Sequence, residues 1–314
     1  MDSKTLTIVL CQTREGSFNY SSLNENLLKP LKSDLAFCGN ADSSAEDKIL
    51  SESKYIWNIE EPKDWSTACD EISSADSNWR ELCSFGDNFL GGSGYGNTIG
   101  SGLIIMYWRE ILRHNLNSEI INKYEWFVIT RSDFKWITRH PSVELLNKDD
   151  IYLLDGEKYG GISDRHIIFH RSHAEQILGI ASPIFNDSNE LVEDFTRKGI
   201  YELNPEKFLL TMLEKMGLAT RLRYLPYLGF SIRHPGVSTR WSQGKYDKGL
   251  DLYIKYPTEH RYSNYAKIAI RSSNDWNNIL NNRMYLRYLI YRLLLNTDRL
   301  FNVIRYRSSQ RNFI

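Results

Sequence analysis

The stretch YEWFVITRSDFKWI, residues 124–137, constrains the fold of this chain more than any other. Trp126, Phe127, Val128 and Ile129 are aromatic or aliphatic with no polar residue between them. A run of that kind needs burial on both faces, as in a strand inside a parallel sheet covered by helices. The run stops at Thr130, Arg131, Ser132 and Asp133. The strand's C-terminal end therefore delivers a cation and a carboxylate to one place, and in open α/β sheets ligands sit outside the carboxyl ends of the strands. Arg131 and Asp133 are candidate site residues; the plainer reading is an ion pair that staples a loop.

The order of elements supports an α/β fold. LTIVLCQT (6–13) reads as a buried first strand, SSLNENLLKPLKS has helical leucine spacing, and DLAFCG reads as a second strand. Strand, helix and strand in this order predict a βαβ unit and a parallel sheet. KYIWNIEEP is a candidate third strand, LIIMYWREILRHNL an apolar helix, DIYLLDG and HIIFHR further strands. Residues 190–217 are expected to be largely helical, and Ser172 to cap a helix beginning at SHAEQIL. From 218 the pattern breaks up into loops, and a long basic, aromatic helix is expected at the end. We expect one catalytic domain over 1–217, and acceptor-side loops with a helical extension over 218–314.

At 314 residues the chain is long enough for a substantial core. Its 39 Lys and Arg balance 39 Asp and Glu, so no net field points to a polyanionic partner and nucleic-acid binding is not expected. The four cysteines lie far apart, with no CxxC pair and no zinc spacing, as in reduced thiols of a cytosolic protein. No signal-peptide pattern is present, and no stretch reaches the roughly 18–20 apolar residues of a membrane span. The expected location is the cytoplasm, with or without a peripheral hold on a membrane.

Two more clusters fall at predicted strand ends. IYLLDGEKYGGISDRHIIF supplies Asp155 and Glu157, then Tyr159, the pair Gly160-Gly161, and Asp164-Arg165. Paired glycines permit positive φ and a close backbone approach to a ligand, and a carboxylate beyond them is placed to take a proton from a hydroxyl. An ordinary turn capped by Asp164 is the alternative. GGSGYGNTIGSG is neither GxxxxGK[ST] nor a GxGxxG after the first strand. Its end, Gly100-Ser101-Gly102, opens the apolar helix with free N–H groups that suit an anion. His166 and His170 flank IIF and share a face at period two. With no HExxH motif and no third ligand, structural histidines are the simpler reading than zinc.

The strand TIVLCQTR, the later strand ending in Arg-x-Asp, and DG…YGG…DRH followed by HRSHAEQIL together resemble GT-A-type nucleotide-sugar glycosyltransferases. The likeness is to WavE-like transferases associated with lipopolysaccharide, capsule polysaccharide and viral glycans, and it spans roughly residues 5–215. It implies a Rossmann-like, mostly parallel sheet flanked by helices. It also implies a hexosyl- or pentosyltransferase taking a UDP- or GDP-sugar donor to a glycan or glycolipid acceptor. In that fold the strand-end motif is usually Asp-x-Asp, which holds a divalent cation against the diphosphate. Here Arg131 replaces the first carboxylate. One Asp is a poor site for a divalent ion, whereas an Arg neutralises and hydrogen-bonds phosphate itself. The resemblance with this departure implies little metal dependence, with Asp133 either binding donor hydroxyls or holding Arg131 in place. By the same likeness Gln12, Thr13 and Arg14 fall on the donor side, joined by Ser101 as the anion-binding helix start, and Tyr159, Gly160, Gly161 and Arg165 fall on the acceptor side. Asp164 is the expected base of an inverting enzyme, with Asp155 in reserve.

Two other functions stand beside this one. The missing Asp-x-Asp motif fits a non-catalytic protein that binds a nucleotide or glycan. The C-terminal stretch carries Arg283, Arg287, Arg292, Arg299, Arg305 and Arg307 among aromatic and aliphatic residues. Such a helix lies in a membrane interface or packs back on its domain, and the former would make the chain a peripheral membrane adaptor.

Overall fold

The computed structural model describes residues 4–12, 16–41, 47–82, 85, 101–156, 158–200, 203–236, 243–273 and 276. The expected basic C-terminal helix, most of the glycine-rich stretch, Glu157, Thr13 and Arg14 lie outside the described residues.

A seven-stranded sheet forms the centre, in the order β3-β2-β1-β4-β7-β6-β8. Its strands are β1 (Thr5–Leu10), β2 (Ser33–Gly39), β3 (Tyr55–Asn58), β4 (Trp126–Arg131), β6 (Ile151–Leu154), β7 (His166–His170) and β8 (Leu222–Leu225). β1 lies between β2 and β4 and is parallel to both. All six residues of β1 and the first five of β4 are buried, as the unbroken apolar runs require. The expected fold class, a mixed α/β protein with a largely parallel central sheet flanked by helices, is what forms.

One strand departs from the βαβ expectation. β7 is antiparallel to both β4 and β6, with Thr130 opposite His166 and Trp126 opposite His170. The sequence between β6 and β7 contains no crossover helix, and a chain that short returns beside its predecessor in the opposite sense. β8, beyond residue 217, pairs parallel with β6 and completes the sheet. The sheet therefore runs across the boundary expected at 217/218.

The region expected to be loops holds a second, four-stranded sheet, β10-β11-β9-β5. Its members are β5 (Phe134–Trp136), β9 (Gly229–Arg233), β10 (Lys245–Asp247) and β11 (Leu252–Ile254). β5 follows β4 after a two-residue turn and pairs antiparallel with β9. A 17-residue helix, Pro257–Ser273, packs on β9; Pro257 at its first turn needs no N–H donor there.

The two faces of the large sheet carry separate cores. One gathers Ile8, Phe127, Ile129 and Phe169 with Trp108 and Leu112 of the Ser101–Asn115 helix and Phe208 of the Pro205–Lys215 helix. The other gathers Val9, Trp126, Val128 and Ile168 with Leu27 and Leu31 and with Trp136 of the small sheet. Among the described residues no helix is long and apolar enough to cross a membrane. The helix start expected at Ser172 is capped by its neighbour instead, since His170 Nδ1 accepts from the Ser172 N–H at 3.2 Å.

Candidate functional site

Arg131 ends β4 at the carboxyl edge of the sheet, and its guanidinium is fixed from one side. Nε donates to Asp133 Oδ1 and Nη2 to Asp133 Oδ2, each at 2.9 Å. Nη1 faces Asp164 Oδ2 at 3.7 Å, and the Arg131 side chain is 26% exposed. The strand-end cation is thus neither turned into the core nor loose in solvent. Arg233, at the end of β9, adds a bond from Nη1 to Asp133 Oδ2 at 2.7 Å, while the Ile232 N–H donates to the Asp133 carbonyl at 2.9 Å. The small sheet therefore delivers a second arginine to the edge of the large one.

Electrostatics follow from this packing. Burial alone would push the Asp133 carboxyl up, but Arg131, Arg233 and Lys255 hold it far below the usual carboxylate range. Burial opposes the Arg131 charge, and Asp133 with Asp164 more than offsets it, so the guanidinium stays protonated. Lys255 is shifted down, first by burial and then by Arg131. Both Asp133 oxygens already accept guanidinium N–H groups, so this carboxylate does not fit a divalent ion. Of the two roles expected for Asp133, the bonds made here are those that hold Arg131. Among the described residues no group of three or more His, Cys, Asp or Glu side chains is placed to hold a metal ion.

Asp164 and Arg165 reach the same edge because β7 is reversed: it begins where β4 ends. The Thr130 hydroxyl donates to the Arg165 carbonyl at 3.4 Å. Arg165, expected on the acceptor side, is 5% exposed and ion-pairs through Nη1 with Glu259 Oε1. Glu259 Oε2 accepts the Ser231 N–H at 3.1 Å. Arg165 thereby ties the strand edge to the Pro257–Ser273 helix from inside the protein. Asp155, the reserve base, follows directly on β6, is buried, and lies 3.4 Å from Lys158 Nζ.

The glycine pair has a local explanation. Gly160 has φ +86°, and a Cβ on Gly161 would stand 2.0 Å from the Glu206 carbonyl oxygen. Their freedom admits the start of the Pro205–Lys215 helix, whose Glu206 carbonyl accepts the Ile162 N–H at 3.1 Å. Tyr159, beside them, is 45% exposed with φ +43°. Two residues beyond β1, the Gln12 carbonyl accepts the Ser132 hydroxyl, and its side-chain amide donates to Glu61. Ser101 is the first residue of its helix, as expected.

Five residues of the cluster carry no signal that sequence reasoning used. Arg109 sits mid-helix, 3% exposed; its Nη2 donates to the Asp164 carbonyl at 3.5 Å and its Nε has no partner. Cys11, at φ +84°, lies in the same field, and burial pushes its thiol up to about 12. Arg233 and Glu259 arrive from the small sheet and its helix. Glu206 is raised to about 7, by burial first and by Asp164 second, with Arg165 and Arg131 opposing.

His166 and His170 share a face of β7, as period two predicts: His166 packs on Trp136 at 4.9 Å and His170 on Trp126 at 5.4 Å between ring centroids. His140 joins this group, 5.5 Å from His166.

No family model matches the chain, and no curated protein matches it. Among solved structures it is similar to a crystal structure of mouse xyloside xylosyltransferase 1 in its apo form, at 10% identity and a TM-score of 0.42. That likeness covers 72% of this chain and 86% of the other, and it bears on neither the activity nor the residues of this one.

Proposed function

We propose that the chain is a glycosyltransferase that moves a sugar from a nucleotide-sugar donor to a glycan or lipid-linked glycan acceptor. One observation carries the reading: a guanidinium at the carboxyl edge of the central sheet, Arg131, is clamped by Asp133 yet reaches solvent, with Asp164 beside it. A fixed, partly exposed cation at this edge suits the charge that develops on a departing nucleoside diphosphate. It needs no reorganisation when that charge appears. The motif order in the sequence supplies the reaction class, and UDP- or GDP-sugars are the donors it favours.

In this reading Arg131 meets the diphosphate in place of a divalent ion, and Asp133 keeps its fork in register. Gln12, Thr13, Arg14 and Ser101 belong to the donor side; Tyr159, on the exposed turn, belongs to the acceptor side. A carboxylate of the 155–164 segment stands nearby for the acceptor hydroxyl, with Asp164 closer to Arg131 than any other described carboxylate outside Asp133. The arginine-rich C-terminal stretch is a separate question. Sedimentation with anionic liposomes, full-length chain against one ending near residue 278, tests its membrane role.

The decisive experiment is a panel of UDP-, GDP-, CMP- and TDP-sugars, read by thermal shift and by donor hydrolysis, with and without EDTA. At least one donor is expected to raise the melting temperature and to be turned over. No shift with any donor would remove the nucleotide-sugar reading. A shift without turnover would favour the non-catalytic binding protein, a reading helped by the pairing of Asp133 and Asp164 with Arg131.

A further inference from the structure

We propose that Arg109 and Lys255, two cations of the strand-edge cluster that have no carboxylate partner, give the site its preference for a diphosphate over uncharged ligands. The inference deepens the transferase reading, on which the choice of a diphosphate rests. It brings in two residues that reading did not name.

The cluster is joined by contacts. Arg131 pairs with Asp133 and faces Asp164, Arg233 shares Asp133, and Arg165 pairs with Glu259. Each of these carboxylates is therefore held by one of these three arginines. Arg109 enters from the core side, on the Ser101–Asn115 helix. Its Nη2 meets the main-chain carbonyl of Asp164 at 3.5 Å, and its buried Nε meets nothing. Lys255 enters from the small sheet, directly after β11, where its N–H donates to the Ser231 carbonyl at 3.0 Å. Its Nζ lies 4.8 Å from the centre of the Tyr256 ring, and the Arg165 guanidinium lies 4.8 Å from the same centre. Among the described residues neither Arg109 nor Lys255 forms an ion pair.

Arg109, Arg131, Arg165, Arg233 and Lys255 thus stand against Asp133, Asp164 and Glu259. With all three carboxylates ionised, two positive charges remain. Glu206, which feels the same arginines and is raised to about 7, offsets only part of one at neutral pH. A buried charge without a partner is costly, and burial opposes the charge on both Arg109 and Lys255. An arginine keeps its proton regardless. An anion at the exposed side of Arg131 relieves this surplus. Coulomb attraction in a partly desolvated site reaches past direct contact, so Arg109, 3% exposed, acts on the ligand without touching it. A diphosphate diester carries two negative charges and matches the surplus. An uncharged ligand gains nothing from either cation.

The test is calorimetric titration of the full chain with inorganic pyrophosphate, UDP, GDP, uridine and guanosine. Wild type is compared with Arg109→Met, Arg109→Lys, Lys255→Met and Lys255→Arg. Wild type is expected to bind pyrophosphate, and R109M and K255M each to bind it about tenfold more weakly. R109K and K255R should keep most of the affinity, and uridine and guanosine should not distinguish the five proteins. R109M should melt at or above wild type, because an apolar side chain replaces an unpaired buried charge; should it fail to fold, the half-buried Lys255 carries the test. Pyrophosphate affinity unchanged in the Met variants, or lost equally in the variants that conserve charge, would overturn the inference. A wild type that turns over a sugar nucleotide alongside either result leaves the transferase reading standing. Pyrophosphate binding with the expected losses, but no turnover of any sugar nucleotide, would uphold the anion site and overturn the transferase.

Discussion

Arg131 and Asp133 meet in a two-pronged ion pair, Nε to Oδ1 and Nη2 to Oδ2, both at 2.9 Å, across the two-residue turn that joins the large sheet to the small one. Arg233 completes the arrangement from β9 at 2.7 Å. Two arginines thus share one buried carboxylate, and the sign of the site depends on that carboxylate staying in place.

Replacing Asp133 with Ala removes the carboxylate that the two guanidinium groups share, leaving Arg131 with Asp164 at 3.7 Å and Arg233 with the Ile232 carbonyl at 3.1 Å. Breaking a buried pair by removing one partner costs about 3–5 kcal/mol, and the partial exposure of Arg131 places the expected loss near the lower end. Urea unfolding of D133A against wild type measures it. A change within about 0.5 kcal/mol, the size usual for surface positions, would show that the pair holds nothing.

Arg131→Ala is expected to weaken donor binding by about tenfold to a hundredfold, the worth of a charge-assisted hydrogen bond or two. Arg131→Lys should recover little, because an ammonium cannot make the two-pronged contact with Asp133. Calorimetric titration of the selected donor against the three proteins reads the difference. Equal affinities would take the strand-end cation out of the site.

Gly161→Ala places a methyl group 2.0 Å from the Glu206 carbonyl oxygen, a backbone atom that cannot step aside. Overpacking of this kind typically costs about 1–3 kcal/mol. Any relief must lift the helix start from the loop and lengthen the Ile162–Glu206 backbone hydrogen bond. A variant as stable as wild type in urea unfolding would contradict this contact.

The histidines behind the site make the fold sensitive to acid. His140 Nδ1 donates to the Pro141 carbonyl at 2.7 Å, which leaves Nε2 as the unprotonated and unpartnered nitrogen. Burial holds His140 down at about 4, and it also holds His166, buried beside it with neither nitrogen partnered, well below the ordinary histidine value. Unfolded histidines take up protons below about 6.5, whereas these stay neutral while folded. Their contribution is therefore complete above 6.5 and falls as the pH drops from there toward 4, by about 1.4 kcal/mol per pH unit for each histidine. Urea unfolding between pH 7 and 5 should show that slope, and His166→Phe should flatten it. A slope unchanged in that variant would place the acid sensitivity elsewhere.

How much of this was legible depended on where each signal lived. β1, β4 and β6 could be read from unbroken apolar runs, and the placement of Arg131, Asp133 and Asp164 from their position at or beside strand ends. Local pattern carries that much. The direction of β7 was not legible, since HIIFHR has the same composition whichever way it runs; only the short connection before it bears on the choice. β9, β10 and β11 are three to five residues each, too short for a period to register against Pro, Gly and charged neighbours. The Pro257–Ser273 helix did carry cues, Pro257 at its start and Glu259 in its first turn, but its polar and aromatic faces hid the periodicity. Arg109, Arg233, Glu206 and Glu259 come to the site from four distant segments. Nothing near them in the sequence marks them, because their meaning arises only from what they meet.

The reversed strand has a consequence for change along the chain. Thr130 and His166 are fixed opposite each other inside the sheet, while the chain between β6 and β7 loops outward through the exposed Tyr159. Extra residues inserted at that tip would be absorbed as a wider excursion over solvent, without slipping a single ladder rung. A lineage of such proteins could thus vary what it grips on one side of the edge while inheriting the other side unaltered.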